Sequence, residues 1–163
     1  MHQRALLPVL LVCLSSVAFA QAQHEHHQHA ATPTPVGGAA SFQPQLAADA
    51  RFIGWEVLCL GRRAAGERFE HGELRLATRI QRDGRPQWLE RGRLAGGDSL
   101  LASPVGLAGF SVSGTLLATA AADGVTADLL AACRKVPAAE AGAQTGITAL
   151  PGPAPLLVAR YLG

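Results

Sequence analysis

The stretch ELRLATRI at 73–80 constrains this chain more than any other. Leu74, Leu76, Thr78 and Ile80 fall on one side of an extended backbone, and Glu73, Arg75, Ala77 and Arg79 on the other. A period of two predicts a β-strand with one face in a core and one in water. Asp83-Gly84 then supplies the residue pair that accepts positive φ in a tight two-residue turn, and PQWLERGRL at 86–94 returns as a second strand. A β-hairpin is expected here. Pro86 lacks an amide hydrogen, so the returning strand must place it at a strand start or a sheet edge.

The neighbouring segments repeat the pattern of short apolar runs between glycines. RFIGWEVLCLGR at 51–62 is rich in branched and aromatic residues and predicts a strand closed by Gly61. The glycines of LAGGDSLLASPVGLAGFSVSGTLLATA, 94–120, would break that run into two or three short strands. VTADLLAACRKV at 125–136 carries helix signals: Thr126 as N-cap, Asp128 in the first turn, Arg134 and Lys135 in the last, and Pro137 beyond. Its apolar positions 129, 130 and 133 predict one buried stripe. GITAL and PLLVARYL read as two closing strands. The fold class is therefore mainly β with about one helix.

The front of the chain has a different character. Arg4, an apolar run over 5–14 and Ala18-Phe19-Ala20 form a secretory-signal pattern over 1–20, with cleavage expected after Ala20. The run is too short to remain in a bilayer as a spanning helix. Cys13 follows Val12, where a lipoprotein signal needs a small residue. Residues 21–41 are rich in His, Pro, Thr and Gly and predict a disordered tail, because they cannot bury enough apolar surface to fold. HEHHQH at 24–29 lies on this tail and offers His24, His26, His27 and His29 as ligands for nickel, copper or zinc. Without a scaffold, such a tract suits metal buffering better than fixed geometry. A polar leader with incidental metal affinity is the competing reading. Gln28 breaks the HExxH spacing of zinc proteases.

Residues 42–163 are left as the folded domain. Ten of the thirteen arginines lie in 51–93 against six acids, predicting a basic surface on the first half of this domain. Arginine suits bidentate contact with carboxylates, so an acidic protein partner is one reading and a solvated sheet face the other. A net charge of +2, without a glycine-rich phosphate loop or interleaved aromatics, gives no support to nucleic-acid binding. His71 sits in a polar loop, no serine has a G-x-S-x-G setting, and Asp98 after Gly96-Gly97 reads as a turn former. No catalytic set emerges. Cys59 and Cys133 could pair in an exported chain, and otherwise read as small apolar residues on a strand and a helix.

Read together and in order, FIGWEVLCLGR with the following GERF, RLAGGDSLL, GLAG, GTLLAT and ARYLG resemble the urease accessory protein family UreD, also called UreH. The resemblance runs over 42–163, and members of that family carry further chain at both ends. It implies a β-rich fold without catalysis or an intrinsic cofactor, acting as a chaperone or scaffold while nickel, the transferred ion, is inserted into apo-urease. The implied partners are apo-urease subunits, a UreF-like accessory protein and a UreG-like GTPase, met in the cytoplasm. Trp55, Glu56, Gly61, Arg62, Gly96, Gly97 and Asp98 carry the match and are expected in structural or interface roles, the glycines for their backbone. Against this stand two other readings: an exported, periplasmic or secreted metal-binding protein led by its His tail, or a gene fragment without a working product. A sheet cut at both ends would expose unpaired edges and dissolve poorly.

Overall fold

The computed structural model describes residues 9–13, 18–19, 37–119, 124–138 and 140–163. Its strands are β1 (Val9–Cys13), β2 (Ala18–Phe19), β3 (Gly37–Phe42), β4 (Gln45–Leu46), β5 (Arg51–Cys59), β6 (Glu73–Arg82), β7 (Arg85–Ala95), β8 (Val112–Thr119), β9 (Gln144–Leu150) and β10 (Leu156–Leu162). Helix α1 covers Ser99–Ala102 and α2 covers Ala127–Arg134, with a 3-10 turn at Arg63–Ala65. The fold is mainly β, as expected, with a second, one-turn helix beyond the one anticipated. The His24, His26, His27 and His29 tract lies outside the described residues. Strands β1 and β2 fall within 1–20 and pair with β5, and β3 begins at Gly37, inside the stretch expected as a tail over 21–41.

Two sheets form. The first runs β1-β5-β8-β10-β9, with β2 also pairing β5; the second runs β3-β6-β4, with β7 on the other side of β6. The β6–β7 hairpin is present, and Asp83 and Gly84 take φ of 48° and 71°, the left-handed pair its tight turn requires. Among the described residues β7 pairs only with β6, so Pro86 sits near the start of an edge strand, opposite Gln81 at a register shift. Gly61 closes β5 at a φ of +81°.

Residues 94–111 depart from the expectation. In place of two or three strands, the Asp98 carboxylate accepts a hydrogen bond from the Leu100 amide at 2.8 Å and starts α1. Turns follow, with the Leu107 amide donating to the Leu100 carbonyl at 3.0 Å and Gly109 to Leu101 at 2.8 Å. Only β8 from this run is a strand. The glycines favoured turns, and a capping acid gave the intervening leucines a helical turn.

Helix α2 forms where expected, and the Thr126 hydroxyl accepts from the Leu129 amide at 3.1 Å. Its buried stripe does not: no residue of α2 is buried, and Leu129 is 47 % exposed. The helix is tethered by polar contact, Arg134 Nε donating to the Ile147 carbonyl of β9 at 3.0 Å. Cys59 in β5 and Cys133 in α2 are free thiols, each half-buried.

The core lies between the sheets in two clusters. One joins Leu46, Phe52, Ile80, Leu117, Leu156 and Val158; the other joins Leu58, Leu60, Phe69, Leu74 and Leu94. What separates them positions the candidate site.

Candidate functional site

Alternation along β5 puts Phe52, Gly54, Glu56 and Leu58 on the inner face, so a carboxylate interrupts an otherwise apolar stripe. The register continues the interruption sideways: Glu56 lies opposite Thr115 of β8, and Thr115 opposite Arg160 of β10. Across the core, the inner face of the hairpin places Thr78 opposite Glu90. The five residues form a polar layer between the two apolar clusters.

Arg160 joins the sheets. Its Nη2 donates to Glu90 Oε1 at 2.7 Å, its Nη1 donates to Thr115 Oγ1 at 2.7 Å, and its guanidinium carbon lies 5.8 Å from the centre of the Trp88 ring. A cavity of about 230 Å³ opens beside it, bordered by Trp55, Glu56, Thr78, Glu90, Thr115 and Arg160, with Phe52, Leu76 and Leu117 among its apolar walls. On the other face of the first sheet a recess of about 280 Å³ shares Trp55, Glu56, Thr115 and Arg160. Glu56 is held above the ordinary carboxylate range, first by burial and then by repulsion from Glu90, with Arg160 pulling the other way.

The layer therefore offers two half-buried carboxylates and an exposed guanidinium beside apolar walls. Glu90 is paired with Arg160, whereas Glu56 holds a proton more readily than a free carboxyl does. Among the described residues no three His, Cys, Asp or Glu side chains come together as a metal site. A cation in this cavity would meet at most two protein carboxylates and keep part of its water shell.

The other sequence-predicted residues lie elsewhere. Gly61 and Arg62 grip the following turn: a Cβ on Gly61 would meet the Glu67 carbonyl oxygen at 2.8 Å, and Arg62 Nε donates to Glu67 Oε2 at 2.9 Å. Gly96 and Gly97 hold the same segment from the opposite side, their amides donating to the Gly72 and Phe69 carbonyls at 2.8 and 3.2 Å. The FIGWEVLCLGR, GERF and RLAGGDSLL motifs are thus one contact seen from three places in the chain.

A family model described as UreD urease accessory protein matches residues 38–163. The chain belongs to the UreD family. The Urease accessory protein UreD of Dechloromonas aromatica (strain RCB) is 54 % identical over 122 residues, covering 74 % of this chain and 41 % of that relative. That of Azoarcus sp. (strain BH72) is 55 % identical over 126 residues, covering 77 % and 42 %. The chain spans about two fifths of the length of these UreD relatives. No helix among the described residues is long and apolar enough to cross a membrane.

Of the UreD motif residues, Trp55 and Glu56 border the cavity; Gly61, Arg62, Gly96 and Gly97 hold the segment 67–72, and Asp98 caps α1. Sequence reasoning missed Thr115, Glu90, Arg160 and Trp88. A signal existed for two of them: Arg160 is the one charge in LLVARYL, and Glu90 shares the Trp88 and Gly92 side of an alternating strand.

Proposed function

We propose that the chain serves urease maturation as a non-enzymatic scaffold that binds apo-urease and offers nickel a route through its polar layer. The supporting observation is the Glu56–Thr115–Arg160 row facing Glu90, inside the segment that the UreD family model matches. Ionised carboxylates bordering a partly apolar cavity attract a divalent cation, and only two of them let it leave again. The partners under this reading are apo-urease subunits, a UreF-like accessory protein and a UreG-like GTPase, and the compartment is the cytoplasm. Nickel is cargo here, not a resident cofactor. The tract of His24, His26, His27 and His29 supplies a loading reservoir on the same reading.

Affinity capture of the full chain, coexpressed with urease subunits and the other accessory proteins, tests the scaffold. Recovery of apo-urease is expected; capture of none of these partners would remove the scaffold reading. Nickel titration of the chain against a version with the four tract histidines changed to Ala tests the reservoir, which equal binding would eliminate.

A further inference from the structure

The outer face of the β6–β7 hairpin concentrates the basic charge. Cross-strand register sets Arg75 opposite Arg93, Ala77 opposite Arg91 and Arg79 opposite Leu89, so four guanidinium groups share one sheet face with an apolar residue. All four arginines are exposed, and Leu89 is 58 % exposed. Ala39 and Ser41 of β3 lie beside Arg75 and Ala77, which keeps that flank low.

Like charges directly opposite repel, and the structure shows what relieves them. Glu73 Oε1 accepts from Arg75 Nε at 2.5 Å, while Oε2 accepts from Arg93 Nε at 2.8 Å. These two hydrogen bonds, Arg75 first, hold the Glu73 carboxyl below its ordinary range. A carboxylate bridging two arginines is therefore the binding mode this face already uses. Arg79 and Arg91, diagonal to each other on the same face, have no ion pair among the described residues and present a second such position beside Leu89.

We propose that this face docks an acidic protein segment whose carboxylates bridge Arg79 and Arg91 while an apolar side chain covers Leu89. The inference is independent of the nickel route, because it uses the opposite face of the hairpin. Nucleic acid fits less well: the hairpin's aromatic residue, Trp88, points inward and no stacking ring lies on this face. Bidentate guanidinium–carboxylate contacts and an exposed leucine are protein-interface chemistry.

The test is binding of a fluorescent alternating Glu-Leu peptide to the full chain, at low and high salt, with a single-stranded oligonucleotide of equal charge as competitor. Tight, salt-sensitive peptide binding is expected, weakened by about tenfold or more in R79E/R91E. E73Q is expected to bind several-fold more tightly, since it releases Arg75 and Arg93. Unchanged binding in R79E/R91E, weaker binding in E73Q, or preference for the oligonucleotide would each overturn the proposal.

Discussion

Gly96 and Gly142 differ in what a methyl group would meet. A Cβ on Gly96 would lie 2.6 Å from the Glu70 carbonyl carbon, whereas nothing stands within 4 Å of one on Gly142. Gly96→Ala must push two backbone segments apart and is expected to cost about 1–3 kcal/mol, the range of overpacked sites. Gly142→Ala, at a φ of +86°, carries only the left-handed penalty of about 1 kcal/mol. Urea-denaturation midpoints of the two variants check the difference; equal losses would mean that close approach is not what fixes glycine at 96. Glu56 gives a second residue-scale test. Its folded value is raised, so the carboxyl favours the folded state when protonated, and that contribution fades as pH rises through the folded value. Glu56→Gln should therefore melt higher than the parent near neutral pH, and the gain should vanish below the usual carboxylate range of about pH 4. A gain that grows on acidification would reverse the sign of the account.

At the scale of elements, what could be read from the sequence was what local chemistry decides. The hairpin followed from alternation and Asp83-Gly84, and the start of α2 from Thr126. The stretch after Leu94 misled because glycine and serine spacing resembles broken strands, and the consequence of Asp98 as a cap appears only once the Leu100 amide is seen to need an acceptor. The buried stripe of α2 failed for a tertiary reason: the helix meets an edge strand through Arg134 and packs no side chain into the core. Thr126→Ala should then cost about 1 kcal/mol of helix stability. The loss should appear as faster amide exchange over Ala127–Arg134, with the global unfolding midpoint unmoved. A falling global midpoint would show that α2 is coupled to the core after all.

At the scale of the molecule, the polar layer depends on which residues meet across three strands and two sheets. Glu56 stood out by its motif, but Thr115 and Arg160 lie 59 and 104 positions further on, and only register and sheet packing bring them together. Arg160, itself exposed, is what allows two half-buried carboxylates to face one cavity. It pairs with Glu90 and leaves Glu56 as the group whose charge is least balanced. The central claim is that these carboxylates carry nickel while other surfaces hold the partner. It is tested most directly by the nickel content of urease matured in a host lacking its own UreD and supplied with either this chain or its E56A/E90A variant. The account predicts nickel-loaded urease with the parent chain, and apo-urease that still copurifies with the variant. Equal nickel loading by the two chains would contradict it.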